Sequence, residues 1–189
     1  LRYRRTDIID RALTVLDAYG LADLSMRRLG SELGVQPSAL YHHFANKQTL
    51  LAALADEILE RGRRERSASG WDAKVLELGR ELRDAMLAWR DGAELVATVH
   101  AFGLGAARPD EDLAEALSGA DLPEAVLPVA VNTVLHFVLG HALQEQTQMQ
   151  AASVGAIADE PRERSDFDLG LGLVVDGIRV HAEVSTRRR

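Results

Sequence analysis

Two short helix signals only three residues apart constrain this chain more than any other feature of it. Ser25 precedes MRRLGSEL, whose Met26, Leu29 and Leu33 recur at helical spacing, and Gly34 follows as a stop. A serine oxygen can take up an unpaired N–H of the first turn, and glycine tolerates the left-handed backbone that ends a helix. After Val35 and Gln36, Pro37 suits the first position of a new helix, where its missing N–H costs nothing, and SALYHHF continues it. Helices this short are marginal alone in water, where roughly 12 to 15 residues are needed. They must brace each other as a helix-turn-helix. Leu40 and Phe44, four apart, share the face that has to be buried. Ser38, Ala39, Tyr41, His42 and His43 then face outward, a surface of small, hydroxyl and imidazole groups that suits base edges and phosphates in a major groove. Adjacent histidines project about 100° apart on a helix, so they cannot chelate one metal ion. A solvated face with incidental histidines fits the same spacing, as does a partly buried Tyr41, and the residues alone leave these readings open.

The flanks are helical as well. Thr6 is a candidate cap for a first helix running through Ile8, Ile9, Ala12, Leu13, Val15 and Leu16 to Gly20, and Asn46 caps a fourth, KQTLLAALADEILERG. A charged join, RGRRERSASG, leads to Trp71 and a stripe of Val75, Leu78, Leu82, Met86 and Trp89 at spacings of three and four. RDGAELVATVHAFGLGAARPD is broken at Pro109. ADLPEAVLPVAVNTVLHFVLGHALQEQTQ is apolar all round, so it must be covered on every side, and Pro128 should kink or restart it. SDFDLGLGLVVDGIRVHAEV sets Phe167, Leu171, Val174 and Ile178 on one face, with Gly170 and Gly177 open to another helix. MQAASVGAIADEPRERS lacks a firm pattern and reads as a loop. No run alternates apolar and polar residues between turn signals. The expected fold is therefore all-α: an N-terminal helix-turn-helix three-helix domain over 1–47, a connecting helix over 46–62 and a helical body over 63–189.

The net charge of −7 argues against a nucleic-acid partner until its distribution is read. Residues 1–47 hold seven Lys and Arg against five Asp and Glu, a net +2, and the remainder sums to −9. A mildly basic head on an acidic body points to an anionic partner for the head alone, chance unevenness being the plain alternative. The absence of cysteine excludes disulfides and thiolate chemistry and suits a reducing cytoplasm. LRYRRTD lacks the apolar stretch of a signal peptide, and no run approaches the roughly 20 residues of a membrane span, so a cytoplasmic chain without a membrane partner is expected. There is no G-x-S-x-G, H-E-x-x-H or glycine-rich phosphate loop. An enzyme would have to use His100, His136 or His141 with a carboxylate; a non-enzymatic chain with no catalytic residues and no cofactor is expected.

From Thr6 to Glu60 the chain resembles the DNA-binding domain of the TetR family of bacterial transcription regulators, through ALTVLDAYGLADLSMRRLGSELGV and LYHHFANKQTLL. The resemblance implies a regulator bound to a double-stranded DNA operator. It assigns Arg27 to reading a base, where a bidentate fork suits guanine. Gln36, Pro37, Ser38, Ala39, Tyr41 and His42 match positions that read the groove or its edge, and Ser25, His43 and Lys47 match positions that hold phosphates. Arg28 reads as solvated.

The body resembles the C-terminal domain of the tetracycline repressors, through the turn in WRDGAELV and through LHFVLGHALQEQ with its amide-rich end. This implies a ligand-binding and dimerisation domain: two long helices per subunit form a four-helix interface, and the homodimer reads a near-palindromic operator released by a small-molecule inducer. Counted from the Arg-Asp-Gly-Ala turn, the family's metal-holding histidine falls at Val96 and its metal-side carboxylate at Gln144, and the ring-contacting His and Asn fall near Arg63 and Leu78. Neither a metal site nor magnesium-tetracycline is therefore expected, and His100 replaces the missing ligand only if the alignment shifts there. Leu78, Leu82, Met86, Trp89, Val96, Val99, His100, Phe102 and His136 would instead line a pocket for a flat or greasy inducer, with ordinary core packing as the alternative. His141 and His181 carry no assignment. A DNA-architectural protein without sequence preference is the other class to weigh, and it has no need of the acidic body.

Overall fold

The computed structural model describes residues 3–158 and 166–186. Among them are the helices α1 (Arg5–Tyr19), α2 (Met26–Leu33), α3 (Pro37–Tyr41), α4 (Lys47–Gly62), α5 (Trp71–Leu87), α6 (Gly92–Ala101), α7 (Pro109–Leu117), α8 (Leu127–Ser153) and α9 (Phe167–Thr186), with a 3-10 turn at Ser118–Ala120 and no strand. The chain packs as two compact units, Leu1–Arg63 with Ala85–Ala107, and Arg64–Asp84 with Arg108–Arg189.

The first unit is built on α1, whose Ile8, Ile9, Ala12, Leu13, Val15 and Leu16 are buried as the periodicity requires. Its start differs from the sequence expectation. Thr6 lies inside the helix, because the Arg4 N–H is satisfied by the Asp7 carboxylate at 2.8 Å, a reach back from the first turn that moves the cap to Arg4. α2 has the expected bounds: the Ser25 hydroxyl oxygen accepts the Arg28 N–H at 3.2 Å, and Gly34 closes it in the left-handed conformation. α3 is shorter than SALYHHF suggests and stops at Tyr41. His43 and Phe44 both donate backbone N–H groups to the Leu40 carbonyl, at 2.9 and 3.0 Å, which winds the chain into a closing turn. Leu40 and Phe44 are buried nonetheless, as expected. Asn46 caps α4 reciprocally with Thr49, its side-chain oxygen accepting the Thr49 N–H at 2.9 Å while the Thr49 hydroxyl accepts the Asn46 N–H at 3.1 Å. Leu13, Leu29, Leu40, Leu50 and Leu54 are closed to solvent where α1 packs on α2 and α4 and α2 packs on α3, each burial contributing roughly 1.5 to 3 kcal/mol. α4 also packs on α6, where Leu95, Val96 and Val99 are buried. Gly62, at the end of α4, lies so close to α5 that a Cβ there would collide with that of Ala85. Trp89 falls beyond α5, in the turn before α6, with the Arg61 guanidinium over its ring at 5.6 Å.

In the second unit α5 buries Val75 and Leu78, and Leu82 is half-buried. The join that precedes α5 is laid along it: Glu81, buried, accepts the Arg64 N–H at 3.2 Å and the Arg66 guanidinium at 2.7 Å, and Glu77 accepts the N–H groups of Ser67 and Ala68, each at 3.3 Å. Hydrogen bonding to Glu81 holds the Arg66 guanidinium above its usual range. Pro128 stands in the first turn of α8 and so starts that helix without kinking it. α8 runs on to Ser153, so the first five residues expected as loop are helical; residues 159–165 of that segment lie outside the described residues. Buried Val131, Val134, Leu135, Val138 and Ala142 mark its core side, while Val129, Leu143 and Met149 are exposed. With 27 residues and a mean hydropathy of 1.2 over its most apolar stretch, α8 is long and apolar enough to cross a membrane, contrary to the sequence expectation. Interruptions such as Asn132 and His136 hide it from a search for an unbroken apolar run.

On α9 the buried residues are Phe167, Leu171, Val175 and Ile178, with Val174 only half-buried. Gly170 meets α8 closely, a Cβ there falling 2.6 Å from the Phe137 ring, but Gly177 faces open space. Arg83 and Glu145 join α5 to α8 by two bonds of 2.9 and 2.6 Å. Arg179 meets Asp72 at 2.8 Å, and the Ala73 N–H together with that guanidinium holds the Asp72 carboxyl below its ordinary range.

Candidate nucleic-acid interface

The outward surface anticipated around α3 is present. Gln36, Ser38, Ala39, Tyr41, His42 and His43 are exposed, Tyr41 at 51%, and Pro37 is half-buried. The side chain of Tyr41 is thus not a core residue. Leu40 and Phe44 hold this surface from beneath, and the Arg5 guanidinium lies over the Phe44 ring at 4.9 Å. Arg27 is exposed in the first turn of α2, and Lys47 opens α4, half-buried. Neither makes an ion pair among the described residues. Their charges stay available to an external anion, and Lys47 adds to the positive end of the α4 dipole. The Ser25 oxygen is committed to capping α2, which leaves its O–H free to donate. A groove of about 430 Å³ runs beside α3, lined by Tyr3, Ile8, Val35, Ala39, Leu40, His42 and His43.

The residues anticipated as a ligand pocket fall in both units. Met86, Val96 and Val99 are buried in the first, with Trp89 and His100 half-buried, and Phe102 stands 66% exposed just past α6. Leu78 and Leu82 belong to the second, as does the exposed His136. Val96 is apolar and buried, Gln144 is exposed, and no group of three or more His, Cys, Asp or Glu among the described residues could hold a metal ion. Neither position that the resemblance assigns to the metal carries a histidine or a carboxylate.

Three features escaped the sequence. Arg28 is half-buried, its guanidinium 3.6 Å from the centre of the Tyr19 ring, so it is not the solvated residue expected. Tyr3 donates its hydroxyl to the Leu33 carbonyl at 2.9 Å, fastening the start of the chain to the end of α2. Asp91, in the turn of WRDGAELV, accepts the Leu21 N–H at 2.7 Å and so grips the turn between α1 and α2. The spacing of an Arg-Asp-Gly turn carries no sign of that partner.

Comparison with known proteins gives these features a setting. The profile of bacterial regulatory proteins of the tetR family matches residues 8–54, and that of the tetracyclin repressor-like C-terminal domain matches 65–164. The class A tetracycline repressor protein from transposon 1721 of Escherichia coli is 33% identical, over 90% of this chain and 88% of that protein. The crystal structure of Mycobacterium smegmatis BioQ superposes with a TM-score of 0.88 at 41% identity, covering 95% of this chain and 99% of that one. BioQ solved with its natural double-stranded DNA operator gives 0.83 at 39% identity, with the same coverage of both chains. With both halves matched in order, the chain belongs to the TetR family of bacterial regulatory proteins, and it is a DNA-binding transcriptional regulator, not an enzyme.

Proposed function

We propose that this chain is a ligand-responsive repressor that binds a near-palindromic operator as a homodimer and is released by a small, largely apolar or aromatic inducer. The observation that carries the reading is the exposed face of α3, locked from below by buried Leu40 and Phe44 and flanked by the unpaired charges of Arg27 and Lys47. Arg27 reads a base edge; Gln36, Pro37, Ser38, Ala39, Tyr41 and His42 lie in or beside the groove; the Ser25 hydroxyl, His43 and Lys47 donate to phosphates. The reader spans residues 1–47, α4 connects it, and 63–189 senses and dimerises. Val129, Leu143, Leu169, Leu173 and Val180 are apolar and exposed on α8 and α9, more apolar surface than a lone soluble subunit normally shows. That surface pairs with its copy on a second subunit, which accounts for the uncovered side of α8. A repressor of bacterial genes works in the cytoplasm.

Met86, Trp89, Val96, Val99, His100 and Phe102 are the candidates for contact with an inducer in the first unit, and Leu78, Leu82 and His136 those in the second. Since Val96 offers no ligand atom, magnesium is not part of the signal. The test is selection from random duplexes, followed by fluorescence anisotropy at fixed salt on the selected and a scrambled duplex. A repressor prefers its selected duplex by roughly 10³-fold or more. Equal affinities would mean an architectural protein and would end this reading.

A further inference from the structure

We propose that Asp56 is a positioning residue for the DNA reader, tying the middle of α4 to the segment that follows α6; the proposal rests on the operator-binding reading above. One oxygen of the Asp56 carboxylate accepts the Ala106 and Ala107 N–H groups, each at 2.8 Å, and the other accepts the Ala106 N–H at 2.9 Å. Its neighbours Ala53, Leu54, Ala55 and Ile58 are buried and apolar, and the adjacent carboxylate, Glu57, is engaged by Arg61 at 2.8 Å, so Asp56 is the carboxylate at this level of α4 that meets backbone N–H groups. Consecutive backbone N–H groups converging on an anion make charge-assisted bonds, about twice as strong as neutral ones.

The loop is shaped for this grip. Gly103, at φ +64, ends α6 while the Leu104 N–H returns to the Val99 carbonyl at 3.0 Å. Gly105, at φ +92, then brings the backbone so near that a Cβ there would stand 2.8 Å from the Asp56 carboxylate and 3.3 Å from Val99. Phe102 through Ala106 are exposed, so burial contributes little to holding them. The carboxylate supplies what packing does not. Because α4 carries the Asn46 cap and Lys47 at its start, a tie at its middle helps to fix the helix that presents them, and a change in the segment after α6 reaches α4 through this side chain as well as through the packing of α6 on α4. Linkage makes the effect mutual: if the tie favours the DNA-reading arrangement, bound operator must strengthen the tie by the same factor.

The experiment uses the full chain as wild type, Asp56→Ala, Asp56→Asn and Gly105→Ala. Amide hydrogen exchange at Ala106 and Ala107 is followed with and without the selected duplex. Anisotropy then compares that duplex with one carrying an extra base pair between its half-sites, and a thermal melt accompanies each variant. Bound operator should slow exchange at both amides in the wild type. Asp56→Ala and Gly105→Ala should lose about 3- to 30-fold of the discrimination between the two duplexes, with Asp56→Asn, which keeps one acceptor oxygen, in between. A lower melting temperature with discrimination intact would reduce Asp56 to a structural residue and overturn the proposal, as would exchange at the two amides that ignores the duplex. A wild type that selects no duplex overturns the operator reading itself, and this inference with it.

Discussion

Replacing Gly20 by alanine should damage the turn between α1 and α2 in two separable ways. Gly20 has φ +83 and ψ 172, a region open to glycine almost alone, and a side chain there costs roughly 1 to 3 kcal/mol of backbone strain. The new Cβ would also stand 2.7 Å from the Asp91 carboxylate oxygen that accepts the Leu21 N–H. Asp91 must swing away, and a hydrogen bond to a charged group in this half-buried setting contributes about 1.5 kcal/mol, the low end of its range. The single variant should therefore lose about 2.5 to 4.5 kcal/mol. Asp91→Gly removes the same bond without strain, since Asp91 itself sits at φ 56, where glycine is at ease. In that background Gly20→Ala costs only the backbone term, so the double variant should be about 1 to 2 kcal/mol more stable than the sum of the singles predicts. Urea unfolding of the four proteins closes the cycle. Additivity within about 0.5 kcal/mol would show that the two positions do not meet, and would refute the argument.

Arg27→Ala should cost about 1 to 3 kcal/mol at the selected operator and little on random duplex, whereas Lys47→Ala should weaken both alike; competition anisotropy at fixed salt decides, and equal losses for Arg27→Ala remove its base-reading role. Leu173→Glu should turn the dimer into monomers in light scattering at micromolar concentration, because an exposed apolar residue of α9 becomes a charge facing its own copy. A dimer unaffected by it would place the interface elsewhere. Magnesium-tetracycline should leave the operator complex intact while some planar apolar compound dissociates it; release that requires magnesium would mean that His100 holds the metal after all.

Helix signals within one segment were legible, and those that depended on another segment were not. Ser25, Gly34 and Asn46 mark their helix ends by chemistry confined to a few neighbouring residues, and the structure keeps all three. Thr6 looked equally good as a cap, but Asp7 could serve the Arg4 N–H one turn earlier, and single-residue preference does not arbitrate between two adequate caps. The choice between Val174 and Val175 on α9 turned on which face met α5 and α8, and a helix with apolar residues at both positions does not declare it. In the reader, the exposure of Ser38 to His43 followed from burying Leu40 and Phe44, so the spacing of two apolar residues was enough to derive that surface. Arg28 could not be placed in this way, because its partner Tyr19 lies on another helix.

The carboxylates show the same limit at its sharpest. Asp56, Glu77 and Glu81 lie on helices and Asp91 in the turn before α6, where their charges read as solvated surface, yet each accepts at least one backbone N–H of a separate segment. Backbone is the same at every residue, so such a partnership leaves no mark in the partner's sequence. Part of the acidity of the body therefore does structural work: Glu77 and Glu81 hold the join that leads into α5. Within the first unit, Asp91 grips the turn before α2 and Asp56 the loop after α6, so the chain is fastened near both ends of α6 to the helices that carry the proposed DNA contacts. These four carboxylates are placed where they order backbone, while among the described residues Arg27 and Lys47 have no acidic partner, which the proposed contacts with base and phosphate require.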